Sequence, residues 1–244
     1  MAGPWFVAPS ANWRDGDVHL PEDESHHALR VLRVAPPDVI TVTDGEGTVA
    51  RCAIRSVTGG SVTAEVVERT SHRRLRPEVV VYQGAAKGSK VDSVVERLAE
   101  LGVAEAYSFE SSRSVVRWDA GKLERLAERW STIARSAAKQ SRNPFVMKTG
   151  AGLGFEALIE RIRGEQLAAC LWEEASLPLR TALAAPAERV ALIVGPEGGL
   201  ERGEAEALAD AGAQLVSLGP RILRTENAAF AGVAALLFHY GLIG

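Results

Sequence analysis

The pattern of apolar and polar positions changes rhythm once along this chain. Val39-Ile40-Thr41-Val42-Thr43 is β-branched throughout and stops at Asp44-Gly45, which predicts a strand closed by a tight turn. Val49–Val57 continues the extended pattern, Gly59-Gly60 interrupts it, and Val62–Val67 resumes it with apolar and polar residues alternating. With one helical stretch over Asp23–Leu32, these segments predict a small β barrel or sandwich in the first 70 or so residues. Thr70–Pro77 is polar, basic and closed by proline, which marks a domain boundary. Beyond it, strands alternate with helices. Val79–Tyr82 reads as a buried strand. Lys87–Leu101 follows as an amphipathic helix with Val91, Val94, Val95, Leu98 and Leu101 on one face, and Gly102 is placed to end it. Strands are then predicted at Ala104–Phe109, Leu167–Trp172, Val190–Val194 and Gln214–Ser217. Helices are predicted at Gly121–Gln140, Phe155–Ile162, Leu179–Ala184, Arg202–Ala211 and Thr225–Tyr240. That alternation predicts a parallel α/β sheet.

Composition narrows the class without naming a function. Of 244 residues, 46% are hydrophobic and 24% charged, which suits a packed core and argues against wholesale disorder. No apolar run approaches the ~20 residues needed to span a bilayer, and the start lacks the basic and apolar regions of a secretory signal. Cys52 and Cys170 are too few and too far apart for a disulfide framework or a cysteine metal site, and no acidic or cysteine partners stand at ligand spacing from His26 and His27. The expectation is a cytoplasmic protein with no membrane and no metal. The net charge of −3 hides an asymmetry: residues 1–150 carry 21 basic against 19 acidic side chains, residues 151–244 carry 7 against 12. Arg129, Arg135, Lys139, Arg142 and Lys148 fall in one acid-free stretch, and Arg69, Arg73, Arg74 and Arg76 surround His72 in another. Such patches hold phosphates; a solvated helix face and a polar linker account for the same charges equally well.

Two loops carry candidate chemistry, because each follows the carboxyl end of a predicted strand, where ligands bind in open α/β sheets. The first, Gly195-Pro196-Glu197-Gly198-Gly199-Leu200, has three glycines and a proline within five residues, a backbone that bends freely and lets a ligand approach the main chain. It is neither a Walker A loop nor the dinucleotide Gly-x-Gly-x-x-Gly fingerprint, and a tight strand-to-helix turn would look the same. The second, Leu218-Gly219-Pro220-Arg221-Ile222-Leu223-Arg224-Thr225-Glu226-Asn227-Ala228, leads into the last helix. Thr225 suits an N-cap and Glu226 the first turn's positive dipole end. Two arginines flanking an apolar pair go unexplained by that local reading, and ask for anionic or carbonyl partners.

These loops together strongly resemble the family of methyltransferases acting on uridine N3 of small-subunit (16S) ribosomal RNA, within the SPOUT superfamily. Lys87 with Glu96, Glu100, Leu101 and Gly102 is similar to that family's first catalytic-domain helix, Ala138–Arg142 with Pro144 to its Gln-Ser-x-Arg segment, and His26 with Val31-Leu32-Arg33 to its N-terminal box. The resemblance covers nearly the whole chain in order. Leu200 stands where the family often has an aromatic residue, and Asn227 where threonine is common.

The resemblance implies a PUA-like RNA-binding β-barrel domain over residues 1–72 and a SPOUT domain over 77–244 whose C-terminal segment forms a trefoil knot. It implies S-adenosylmethionine as cofactor, a homodimer, and the small ribosomal subunit or its RNA as partner. The cofactor pocket would be formed by Leu171, Trp172, Gly195, Pro196, Glu197, Gly198, Gly199, Leu218, Gly219, Ile222, Leu223, Thr225 and Ala228. Arg224, Glu226 and Asn227 would be the catalytic group. Arg30, Arg33, Lys87, Arg135, Lys139 and Arg142 are the candidates for RNA contact. A SPOUT enzyme acting on tRNA or on ribose 2′-OH, and a non-catalytic ribosome-assembly protein of the same fold, are the competing expectations.

Overall fold

A computed structural model of the chain describes residues 3–244, which fall into two compact units. The first comprises the residues up to Arg74 together with Arg135–Val146; the second comprises Leu75–Ala134 and Met147–Gly244.

The first unit holds a six-stranded sheet in the order β1-β4-β5-β6-β3-β2, with β1 at Trp5–Val7, β2 at Trp13–Arg14, β3 at Asp17–His19, β4 at Val39–Thr43, β5 at Thr48–Thr58 and β6 at Ser61–Ser71. The predicted turn after β4 forms as expected: the Asp44 carboxylate accepts from the backbone N–H of Glu46 (2.7 Å) and of Thr48 (2.9 Å), closing the hairpin. β6 runs four residues past the alternating segment, so part of the stretch expected to be linker is paired strand, with Thr70 opposite Val49 and Ser71 opposite Thr48. Phe6, Ile40, Val42, Cys52, Ile54 and Val62 fill the core. The single predicted helix is two pieces. Helix α1 (Glu22–His26) passes directly into a wider π turn over His27–Val31, after which Arg33 takes a positive φ of 55°.

The second unit is the expected parallel sheet, six strands in the order β12-β10-β11-β7-β8-β9. Its strands are β7 Glu78–Gly84, β8 Glu105–Phe109, β9 Lys148–Leu153, β10 Leu167–Leu171, β11 Arg189–Val194 and β12 Ala213–Val216. Helices α2 (Lys90–Glu100), α3 (Ala120–Ser141, whose end counts with the first unit), α4 (Phe155–Arg163), α5 (Leu179–Ala182), α6 (Arg202–Asp210) and α7 (Thr225–His239) accompany it. β7, β10 and β11 are almost wholly buried, as their unbroken apolar runs require of strands covered on both faces. α2 buries Val91, Val94, Val95 and Leu98 and ends as predicted: Gly102 takes φ 80° and donates to Ala99 O (3.1 Å) while Val103 N donates to Leu98 O (3.1 Å). β9, which the pattern did not predict, has the sequence KTGAGL; Gly150 faces the Tyr107 ring so closely that a Cβ would lie 2.7 Å from it.

Candidate active site

The site follows from strand order. β12, β10 and β11 are adjacent and parallel, so the chain leaves all three at the same edge of the sheet, after Val216, Leu171 and Val194. The three loops that depart there enclose a pocket of about 780 Å³, within the size range of sites for small ligands and cofactors. Leu171 and Trp172 form one wall, Gly195, Pro196, Glu197, Gly199 and Leu200 a second, and Leu218, Gly219 and Ile222–Glu226 with Ala228 the third. Two residues expected here stand outside that lining: Gly198, packed on Arg113 so that a Cβ would lie 3.0 Å from its carbonyl oxygen, and Asn227, exposed on the first turn of α7. Asn227 stands on the solvent side of that turn, while Thr225, Glu226 and Ala228 line the pocket.

The loops are locked together from behind by a polar relay. Gln83, 2% exposed at the end of β7, donates through Nε2 to Gly84 O (3.1 Å) and to Thr225 Oγ1 (2.7 Å). The Thr225 hydroxyl in turn donates its one hydrogen to Gly195 O (2.6 Å). Thr225 is therefore not the helix cap: the cap position falls on Arg224, Thr225 is the first helical residue, and its hydroxyl ties α7 to the loop after β11. Gly84 shows how close the backbones run, since a Cβ there would lie 2.2 Å from Pro196 N. None of this was legible from local pattern, in which Gln83 is simply a polar residue at a strand end.

Charge concentrates on one side of the pocket. Lys90, at the start of α2, pairs with Glu197, whose other oxygen accepts from the Lys87 backbone N–H (3.2 Å). The hydrogen bond from Lys90 holds Glu197 below the usual carboxylate range, and the same bond raises Lys90 above its ordinary value. Arg224 and Glu226 add to the field at Lys90. Glu226 reaches the pocket with Oε2 buried and without a hydrogen-bond partner among the described residues. Arg221 and Arg224 are exposed, as are Ile222 (84%) and Leu223 (39%), and neither guanidinium has an anionic or carbonyl partner among the described residues. Glu173 also lines the pocket, with its carboxylate 3.5 Å from where a Cβ on Gly199 would be. Lys90 is a site residue that sequence reasoning missed; it stood three residues beyond a lysine already singled out.

Of the residues expected to touch RNA, Arg30, Arg33, Arg135, Lys139 and Arg142 all belong to the first unit, and Lys87 to the second. Arg135 is paired with Asp23 (3.4 Å) and Lys139 with the buried Glu24 (2.8 Å). Arg30, Arg33 and Arg142 are exposed and have no partner among the described residues.

A parallel α/β sheet with a pocket at the carboxyl ends of adjacent strands, glycine-rich but without nucleotide-phosphate fingerprints, defines the class of α/β protein that holds a small ligand or cofactor there. The RNA methyltransferase domain family matches residues 73–237, and the RNA methyltransferase PUA domain family matches residues 20–67. The chain belongs to this RNA methyltransferase family. It is 35% identical over 218 residues, 88% of this chain and 83% of the other, to ribosomal RNA small subunit methyltransferase E of Mycobacterium bovis. Among solved structures, it is similar to the ribosomal RNA small subunit methyltransferase E from Neisseria gonorrhoeae bound to S-adenosyl methionine (28% identity, TM-score 0.85, 97% of each chain). It is also similar to a putative methyltransferase from Legionella pneumophila with bound cofactor SAM (26% identity, TM-score 0.88, 98% of each chain).

Proposed function

We propose that this protein transfers a methyl group from S-adenosylmethionine to N3 of a uridine in 16S ribosomal RNA. The carrying observation is the pocket itself: loops after three adjacent strands meet around about 780 Å³, and the buried Glu226 oxygen waits there without a partner. The residues suit the cofactor. Main-chain groups of Gly195–Glu197, Gly199, Leu200 and Leu218–Thr225 would hold its adenine, with Ile222 and Leu223 against the ring and Glu173 toward its ammonium group. The relatives' names and their bound cofactor support the same reading. When bound, the cofactor supplies an electrophilic methyl group on a sulfonium.

The protein's task is then to make a poor nucleophile reactive. Uracil N3 carries an imide proton, and its lone pair becomes available only as that proton leaves. Glu226 Oε2, an acceptor lacking a donor, takes the N3 proton directly or through one water. Arg224, whose guanidinium is unpaired among the described residues, stabilises the negative charge that develops on a uracil oxygen. Asn227 does not line the pocket, and this reading assigns it no part in the step. The chain works as a homodimer in the cytoplasm, and residues of the first unit engage the RNA.

The test is methyl transfer from labelled cofactor to small subunits and to naked rRNA from a strain lacking the gene, with nucleoside mass spectrometry of the product. The expected product is 3-methyluridine, reduced about 10²-fold or more by Arg224→Ala and by Glu226→Gln. Label in ribose or only in tRNA refutes the substrate; full activity in either folded variant refutes that residue's role.

A further inference from the structure

The first unit contains a second cavity, of about 480 Å³, for which the proposed reaction gives no use. Its wall is formed in large part by Trp5, His27, Leu32, Lys139, Gln140 and Arg142, all within that unit, and it includes no carboxylate. Several independent features give it the character of a built site. One of its aromatic groups is held in place: the His27 ring packs edge-on against the fully buried Phe6 (centroids 6.3 Å apart, 69° between planes). Lys139 is fixed by its ion pair with Glu24, which is 3% exposed. The hydrogen-bonding groups are free, since neither the Gln140 amide nor the Trp5 indole N–H has a partner among the described residues. The backbone is irregular where it borders the cavity: His27 opens the π turn, and Arg142 sits at φ 56°, a region that residues other than glycine seldom enter. Exposed Arg30 and Arg33 lie on the same short segment as His27 and Leu32.

We propose that this cavity receives one unpaired nucleotide of a single-stranded RNA segment, its base against Trp5 and His27, its edge read by Gln140, and its phosphate on Arg142. The inference deepens the RNA-methyltransferase reading and rests on it for the choice of RNA. Each part of the ligand answers a part of the wall: a base has a face for aromatic groups and a hydrogen-bonding edge for an amide, and its phosphate needs a cation. An acidic peptide would engage the arginines but leave the rings and the amide idle. A duplex is unsuitable because its bases are stacked and its Watson–Crick edges occupied.

The full-length protein would be titrated with a fluorescein-labelled single-stranded RNA 12-mer, with the same sequence as duplex, and with poly-glutamate. Gln140→Ala and Trp5→Ala are expected to weaken single-strand binding about tenfold with little change in salt dependence. Arg142→Gly is expected to weaken it while lowering the salt slope by about 1. That variant also relieves the positive φ, so its melting temperature holds or rises, which separates lost binding from lost folding. Cofactor affinity stays unchanged throughout. Gln140→Ala and Arg142→Gly binding the single strand as tightly as wild type would overturn the proposal. So would a duplex, or poly-glutamate, that is bound as tightly and with the same Gln140 dependence. The two readings fail separately: wild type that methylates rRNA with KM indifferent to Gln140 refutes the nucleotide site alone. Gln140-dependent oligonucleotide binding without rRNA methylation refutes the reaction alone.

Discussion

Thr225→Val tests whether the relay behind the pocket organises it. Valine matches threonine in shape, so the substitution removes little besides the hydroxyl. Two groups lose their partner at once: the half-buried Gly195 O, which accepted at 2.6 Å, and one buried N–H of Gln83, which donated at 2.7 Å. Gln83 is 2% exposed and Thr225 8%, so water does not readily replace the bond between them. At about 1–3 kcal/mol for each stranded group, the expected loss is about 2–6 kcal/mol. For a protein of this size that lowers Tm by roughly 4–24 °C. Thr225→Ser keeps the hydroxyl and should cost about 1 kcal/mol, for the lost methyl. Because the two partners share one hydroxyl, Gln83→Leu combined with Thr225→Val should cost clearly less than the two changes measured singly, a coupling that separate sites would not show. Thermal unfolding followed by circular dichroism reads stability, and titration calorimetry with S-adenosylmethionine reads the pocket. A Val variant within about 2 °C of wild type, with unchanged cofactor affinity, would refute the reasoning.

Three further outcomes follow from other parts of the molecule. Gly84→Ala should lower affinity for S-adenosylmethionine about tenfold or more by calorimetry, because its Cβ meets Pro196 N at 2.2 Å and backbone must move; unchanged affinity would show that the loop tolerates the displacement. Burial pushes the Cys52 thiol up to about 11 and the Cys170 thiol to about 12, so a disulfide reagent at pH 8 should modify neither in the native protein and both in urea; rapid native labelling would contradict the buried placement. Arg189→Met strips the guanidinium from Glu165 (2.8 Å) and Glu105 (3.2 Å) and should cost about 2–4 kcal/mol at pH 7 by urea denaturation. Burial works against the charged form of Glu105, yet the hydrogen bonds from Arg189 and Tyr107 hold it below the usual carboxylate range. Its contribution is therefore present above the ordinary carboxylate pKa and lost as pH falls through the depressed one, so the gap between wild type and variant should narrow below about pH 4; a gap constant down to pH 3 would refute that linkage.

What the sequence made legible is what local repetition encodes. The β-branched run at Val39–Thr43, the helical face of Val91, Val94, Val95 and Leu98, and the terminating Gly102 each report on neighbours within a few positions, and each forms in the expected place. Two of the pocket's three walls were legible for a related reason: ligands collect at strand carboxyl ends, and glycine-rich segments there stand out without knowledge of the sheet's order, whereas Leu171 and Trp172 were expected from the resemblance alone. Trp5–Val7 and Lys148–Leu153 escaped because three residues, or a strand with two glycines, offer too little periodicity to read. The relay escaped for a deeper reason. Its bonds join residues 142 and 30 positions apart, and the Lys90–Glu197 pair spans 107, so no window along the chain contains both partners. Thr225 illustrates the consequence: locally its hydroxyl suits a cap, yet the helix starts one residue earlier and the hydroxyl is directed to a carbonyl on another loop. Gly232 makes the same point in α7. In a helix interior glycine costs stability relative to alanine, but here a Cβ would lie 2.8 Å from Leu192 on β11. The locally unfavourable residue lets helix and strand approach, and with them the Thr225 end of α7 and the loop that follows Val194. Positions where local preference is violated are thus where this chain sets the geometry of its pocket.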